Sequence, residues 1–148
     1  MTNRYVVDTT SLISYFKDIF KVESKISENS VKIIHSGFME ENIILIIPNI
    51  VFVEIFKKWY RNTEWAEKIR YEVYQKVISR PNIQIRPLDF EVLENFIKIV
   101  DIESDQNFDN HDKQILACAM MLDCNLITSD RRLIRYNNRK KVIPAIFS

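Results

Sequence analysis

The stretch HDKQILACAMMLDCNLITSD, residues 111–130, does most to decide the fold of this chain. In its first part, apolar residues recur at helical spacing, which predicts a helix over residues 111–123. The predicted inward face of this helix carries Ile115, Ala119 and Leu122. The second part, residues 125–128, is short and mostly apolar, and it predicts a buried strand. A helix that leads directly into a buried strand is typical of α/β folds.

The alternation of strands and helices continues on both sides of this stretch. Short apolar runs predict strands at residues 5–7, 43–47, 83–85 and 142–143. Helical spacing predicts further helices near residues 9–20, 26–39, 50–61, 65–79, 90–100 and 131–136. Residues 101–110 are polar and predict a loop. This order indicates a single three-layer α/β domain over residues 1–148, with helices on both faces of a parallel sheet.

Composition excludes several classes of protein. The chain has 148 residues, the size of one ordinary domain, and Gly37 is its only glycine, which excludes a Gly-rich phosphate loop. A net charge of +1 does not by itself predict nucleic-acid binding. Cys118 and Cys124 are expected to be reduced, buried thiols. With neither a signal-peptide pattern nor a long apolar segment, the chain is expected to be a soluble cytoplasmic protein without membrane contact.

Two acidic residues follow predicted strands. Asp8 ends the first strand, and Asp130 comes directly after the strand at residues 125–128. The carboxyl ends of parallel strands share one edge of a sheet, so these side chains are expected to converge there. Each has a simpler interpretation as a helix cap or turn residue.

Two further acids lie inside predicted helices. Asp112 shares a helix face with inward-packing residues, and Glu54 is embedded in an apolar run. A carboxylate in such surroundings needs a partner or a metal ion. Alternatively, Asp112 complements a helix dipole, and Glu54 pairs with Lys57 or Lys58. If the acids meet, ligation by oxygen alone favours Mg²⁺ or Mn²⁺ over zinc.

Three segments carry a family resemblance. VVDTTSLISYF at residues 6–16 resembles the opening of PIN domains, in which a strand ends in Asp and a hydroxyl residue follows. IIPNIVFVEIF at residues 46–56 is similar to the family's second acidic element. Residues 111–130 are similar to the family's most specific stretch, which ends in Thr-x-Asp.

The resemblance implies a PIN-like α/β/α domain with a sheet of four or five mostly parallel strands. Position by position, it implies metal-ligand and catalytic roles for Asp8, Glu54, Asp112 and Asp130. It implies supporting roles for the hydroxyls of Thr9 or Thr10, and Thr128. The implied activity is a ribonuclease dependent on Mg²⁺ or Mn²⁺ that leaves a 5′-phosphate and a 3′-hydroxyl. Many small members resemble VapC toxins, which are dimers held inactive by an antitoxin, so an antitoxin partner and a homodimer are expected.

Basic residues flank the proposed ligands in two groups. The residues expected to bind RNA are Lys57, Lys58, Arg61, Arg131, Arg132 and Arg135. The first three fall on the helix face of Glu54, and the others follow Asp130. Arg131 and Arg132 stand where the family often has acidic or mixed residues. A solvated surface is the alternative for both groups. Near them, Asp105 and Asp109 are expected to solvate a loop or hold an outer water, and His111 to pack at a helix start or contact substrate.

Three other functions compete with a toxin. A housekeeping PIN nuclease for RNA maturation has the same sequence features. A catalytically silent PIN-fold module that binds RNA or protein would not need all four acids. A phospho-receiver domain requires an acidic pair at the first strand and a Lys after a late strand, and the sequence around Asp8 and Asp130 lacks both.

Overall fold

Five parallel strands form one sheet in the computed structural model, which describes residues 3–99 and 108–148. Their order across the sheet is β3-β2-β1-β4-β5, so β1 lies at the centre. The strands are β1 (Asn3–Val7), β2 (Ile43–Pro48), β3 (Ile83–Arg86), β4 (Asn125–Ile127) and β5 (Ile146–Phe147). The predicted parallel α/β/α architecture is thereby confirmed, with five strands as the upper of the two expected numbers.

Helices connect the strands and cover both faces of the sheet. They are α1 (Thr9–Tyr15), α2 (Lys17–Phe20), α3 (Glu28–Met39), α4 (Asn49–Lys58), α5 (Thr63–Ile69), α6 (Gln75–Ile78), α7 (Phe90–Lys98), α8 (Asn110–Leu122) and α9 (Arg131–Lys140). A π-helical turn, Arg70–Tyr74, joins α5 to α6. The predicted helix at residues 65–79 is therefore continuous and contains a π-helical turn. None of the helices in the described ranges has the length and apolar character needed to cross a bilayer.

The core lies where these helices pack against the central strands. The side chains of Val6, Leu45 and Leu126 are 0% exposed, which explains why the central strands are apolar on both faces. Cys118 and Cys124 are free and buried, as expected. Burial is the main cause that raises the pKa of Cys118 to about 12 and of Cys124 to about 11, so both thiols are protonated at neutral pH.

Several predicted boundaries were wrong. The last strand is Ile146–Phe147 instead of residues 142–143, because Ile143 is drawn into the core and its backbone N–H donates to Asn137 Oδ1 at 3.0 Å. The helix expected to reach Arg61 ends at Lys58, since Asn62 already caps the next helix.

Two more predicted helix ends were also wrong. The helix at 131–136 continues to Lys140, where Lys141 adopts a left-handed conformation with φ of 51°. The helix expected to reach Val100 ends at Lys98, because Ile99 is extended and forms its C-cap. Most of the expected loop at residues 101–110 lies outside the described residues.

Gly37 marks a close approach between α3 and the sheet. A Cβ atom at this position would lie 2.4 Å from both Cγ and Cδ1 of Leu45, which is fully buried on β2. Real Cβ atoms do not approach carbon so closely, so glycine is needed here for space.

We expect Gly37→Ala to destabilise the protein. Overpacking a tight core costs about 1–3 kcal/mol, and a gain of about 1 kcal/mol in helix propensity offsets only part of it. Urea denaturation followed by circular dichroism measures the free energy of unfolding. In the double variant Gly37→Ala with Leu45→Ala, the loss of stability should be smaller than the sum of the two single losses. The reason is that Leu45→Ala removes the side chain with which the new Cβ atom would clash. An unchanged or higher stability of Gly37→Ala alone would contradict the close packing.

Candidate active site

The site lies at the carboxyl edge of the sheet, where β1 and β4 end side by side. Their register pairs Tyr5 with Asn125 and Val7 with Ile127, so Asp8 and the residues after β4 leave the sheet together. The Asp8 backbone N–H donates to the Ile127 carbonyl at 3.2 Å and extends the ladder by one bond. Chain order reverses at this pair of strands, which is where open parallel sheets form ligand crevices.

Asp8 is a buried carboxylate with two fixed hydrogen bonds. Its side chain is 6% exposed; Oδ1 accepts from the Ser11 backbone N–H at 2.8 Å, which caps α1. The simpler interpretation of Asp8 as a helix cap is therefore present in the structure. Oδ2 accepts from the Thr128 hydroxyl. Burial raises the pKa of Asp8, and the hydrogen bonds from Ser11 and Thr128 act against that rise.

Thr128 connects the two acids at the ends of β1 and β4. While its hydroxyl donates to Asp8, the same oxygen accepts from the Asp130 backbone N–H at 3.0 Å. Thr128 is fully buried, so the geometry of both acids is set inside the protein. Of the other two predicted hydroxyls, the Thr9 Oγ1 atom is buried with no hydrogen-bond partner in the described structure. Thr10 is half-buried and lines an open cavity of about 390 Å³ with Trp59.

Asp112 and Asp130 share the guanidinium of Arg132. Arg132 Nη2 lies 3.1 Å from Asp112 Oδ2 and 3.0 Å from Asp130 Oδ2. Its Nε also donates to Asp130 Oδ1, at 3.2 Å. Asp130 caps α9 by accepting from the Arg132 backbone N–H at 2.9 Å. Two carboxylates from different elements, α8 and the β4–α9 connection, therefore face one cation position.

Negative charge accumulates around Asp112. Burial is the main cause that raises the pKa of Asp112 to about 7, and repulsion from Asp109 and Asp130 adds to it. The Arg132 guanidinium opposes this shift. Asp109 caps α8 by accepting from the Asp112 backbone N–H at 2.8 Å. Burial also acts on Asp109, but its hydrogen bonds to Asp112 and the nearby His111 and Lys58 outweigh it and lower the pKa of Asp109.

Glu54 reaches this edge from α4. Its side chain is 14% exposed, and Oε2 lies 2.9 Å from His111 Nδ1 and 3.4 Å from Lys58 Nζ. The alternative pairing with Lys58 is therefore present, together with a contact that the sequence analysis missed. His111 precedes Asp112 at the start of α8, so this contact joins Glu54 to the other acids. His111 is one of only two histidines in the sequence, and no sequence pattern indicated that α4 and α8 meet here.

The remaining basic residues are less closely placed. Lys57, Arg61, Arg131 and Arg135 are exposed. Arg61 lies beyond the end of α4, so the predicted face shared with Glu54 holds only for Lys57 and Lys58. The structure therefore brings Lys58 and Arg132 into contact with the acids and leaves the others on the surface. Asp105 lies outside the described residues.

The carboxylate oxygens of this site are donors that suit a divalent cation, although the side chains do not all converge on one position. In residues 3–99 and 108–148, no three His, Cys, Asp or Glu side chains lie close enough to hold one metal ion. Asp112 and Asp130 nevertheless both contact the Arg132 guanidinium, and the Asp8 side chain is linked to Asp130 through Thr128. Hard carboxylate oxygens with surplus negative charge fit Mg²⁺ or Mn²⁺.

The comparisons with known proteins agree with this architecture. A family model described as "PIN domain" matches residues 5–138, so the chain belongs to the PIN-domain family. The members of this family are nucleases, which generally use divalent metal ions. No curated protein sequence matches the chain.

Two of the similar solved structures cover nearly the whole chain. One is VapBC2 from Rickettsia felis bound to a DNA fragment from their promoter, with 14% identity, coverage of 98% of this chain and 99% of that chain, and a TM-score of 0.63. The other is FitAcB from Neisseria gonorrhoeae, with 17% identity, coverage of 97% and 96%, and a TM-score of 0.67. At these identities the similarity establishes the fold.

We expect Asp8→Asn and Asp8→Ala to differ in stability when EDTA removes metal ions. Asn keeps an oxygen for the Ser11 N–H and removes a buried charge, so Asp8→Asn should match or exceed the wild type at neutral pH. Because the pKa of Asp8 is raised in the folded protein, the wild type loses stability as pH rises and Asp8 becomes charged. The difference in stability between the wild type and Asp8→Asn should therefore shrink as pH falls toward 4. Loss of the cap should make Asp8→Ala about 0.5–2 kcal/mol less stable than Asp8→Asn.

Urea denaturation of both variants measures this difference. The matched control is the pair Asp18→Asn and Asp18→Ala, because Asp18 is exposed on α2. The Asp18 pair should not reproduce the penalty for Ala over Asn. Equal stability of Asp8→Asn and Asp8→Ala would show that the carboxylate does not hold the start of α1.

Proposed function

We propose that this chain is a metal-dependent endoribonuclease and the toxin of a toxin–antitoxin pair. The observation that carries the proposal is the arrangement at one edge of the sheet in a PIN-family chain, where Thr128 links Asp8 to Asp130 and the Arg132 guanidinium contacts both Asp112 and Asp130. The acids to which we assign metal binding and catalysis are Asp8, Glu54, Asp112 and Asp130. The ion is Mg²⁺ or Mn²⁺, because the donors are carboxylate oxygens.

The protein groups have separate tasks in this mechanism. When bound, the cation supplies water activation and neutralises charge on the phosphodiester. Thr128 holds Asp8 and Asp130 in a fixed relation, and the buried Thr9 hydroxyl is available to orient an acid or a water. Attack of the water oxygen on phosphorus breaks the P–O3′ bond, and the water proton passes to O3′. The products are a 5′-phosphate and a 3′-hydroxyl.

Basic side chains support RNA as the substrate. Lys58 lies beside Glu54, and Arg132 lies between Asp112 and Asp130. Four further basic residues, which are exposed and follow Glu54 or Asp130 along the chain, are Lys57, Arg61, Arg131 and Arg135. Contacts of this kind hold a phosphate backbone without reading its sequence.

The similar structures support the assignment to a toxin. They are complexes with the antitoxins VapB and FitA, and each similarity covers nearly all of this chain. We therefore propose a protein antitoxin as partner and a homodimer as the assembly, in the cytoplasm where RNA is available. Exposed apolar side chains on α7, with Phe90 at 72% and Ile97 at 71%, support an association surface. A housekeeping PIN nuclease shares the site and lacks the antitoxin.

We expect the purified protein, free of any partner, to cleave RNA only with Mg²⁺ or Mn²⁺. Labelled single-stranded and structured RNAs are incubated with either ion or with EDTA, and the ends of the products are identified. Asp8→Asn and Asp112→Asn should lower the rate by more than the roughly 10–100-fold that loss of an outer-shell partner costs. Glu67→Gln, an isosteric change at an exposed carboxylate on α5, is the matched control and should cleave normally.

The outcomes separate the proposed functions. Cleavage that persists in Asp8→Asn would contradict the assigned site. RNA binding without cleavage, under every metal condition, would favour the silent binding module. Growth arrest on expression of the wild type, relieved by Asp8→Asn, would support the toxin, whereas normal growth with active enzyme would favour the housekeeping nuclease.

A further inference from the structure

Arg132 occupies the place between two acids of the site. One nitrogen, Nη2, contacts both Asp112 Oδ2 at 3.1 Å and Asp130 Oδ2 at 3.0 Å, while Nε contacts the other oxygen of Asp130 at 3.2 Å. The two carboxylates are each 20% exposed, and the Arg132 side chain is 40% exposed. The Arg132 side chain is therefore more exposed than either carboxylate that it contacts.

The position of Arg132 on its helix is unfavourable for a cation. It lies in the first turn of α9, two residues after the Asp130 cap, where the helix dipole favours negative charge. Its side chain remains there because the two carboxylates repel each other and need a counter-charge. Hydrogen bonds to Asp130 and the charges of Asp130 and Asp112 raise the pKa of Arg132, so it is always charged.

A guanidinium and a divalent cation need the same oxygens. Each neutralises Asp112 and Asp130 by direct contact, and two cations at one position repel each other. Because Arg132 is attached to the chain, it is present at high local concentration whether or not metal is available. Arginine and metal binding are then alternatives for this pair of acids.

We propose that Arg132 is an internal counter-ion that competes with the divalent cation for Asp112 and Asp130 and so sets the metal affinity of the site. This inference rests on the proposed function, which assigns both acids as metal ligands. Without metal, the guanidinium holds the acids together. Metal binding requires the guanidinium to move toward solvent. The apparent affinity for metal is therefore the intrinsic affinity multiplied by the fraction of molecules in which both acids are free of Arg132.

Metal binding without RNA tests this directly. Titration of Mn²⁺ is followed by calorimetry and by the loss of the free Mn²⁺ signal in electron paramagnetic resonance. We expect Arg132→Gln to bind Mn²⁺ at least about tenfold more tightly than the wild type, because the competing charge is gone. Arg131→Gln is the matched control, since it removes the same charge from the neighbouring, exposed residue. It should change the affinity much less.

A second measurement separates competition from a structural role. In EDTA, Arg132→Gln should melt at a lower temperature than the wild type, because Asp112 and Asp130 then repel without a counter-charge. Saturating Mn²⁺ should raise its melting temperature more than that of the wild type. If Arg132→Gln does not fold, Arg132→Lys, which keeps one charge and lacks the planar fork, carries the same test with a smaller expected gain.

Each outcome has a definite meaning. Equal Mn²⁺ affinity of the wild type and Arg132→Gln would overturn the inference and leave the proposed metal site standing. Weaker binding by Arg132→Gln would also overturn it, since Arg132 would then position the ligands for metal. An equal gain in Arg131→Gln would reduce the effect to general charge and overturn it. No binding by any of these proteins would overturn both the inference and the metal site.

Discussion

The parallel pairing of β1 with β4 is the constraint on which the site depends. It places Asp8 and Thr128 at adjacent strand ends, and the buried Thr128 hydroxyl then bonds to Asp8 while accepting from the Asp130 backbone. Asp8 and Asp130 in turn begin α1 and α9 as their caps. Asp8, Thr128 and Asp130 therefore follow two strands, cap two helices and hold two carboxylates in a fixed relation. This couples the geometry of the site to the stability of the sheet.

Balance of charge is the second organising feature. Acids that converge at one edge repel each other, and burial makes the repulsion more costly. Each is offset differently: Asp8 by neutral hydrogen bonds, Glu54 by His111 and Lys58, and the pair Asp112 and Asp130 by one guanidinium. Each of these carboxylates therefore has a counter-charge or hydrogen-bond donor that the protein itself supplies.

The sequence predicted most of the fold because its central strands and long helices have strong apolar patterns. Positions fixed by single hydrogen bonds or by tertiary packing were harder: β5 depends on Ile143 entering the core, and α4 ends early because Asn62 caps the following helix. The convergence of Asp8 and Asp130 followed from strand ends alone. The contacts of His111 with Glu54 and of Arg132 with Asp112 could not be predicted, since each depends on how two separate helices are placed in the fold.

The most direct test is a crystal structure of the Mn²⁺-loaded protein, with data collected at a wavelength where manganese scatters anomalously. We expect one or two anomalous peaks within ligand distance of the Asp8, Glu54, Asp112 and Asp130 carboxylates, about 2.0–2.2 Å for a small hard cation, with the Arg132 side chain moved away. A structure in which manganese binds elsewhere, while Arg132 still lies between Asp112 and Asp130, would contradict this expectation.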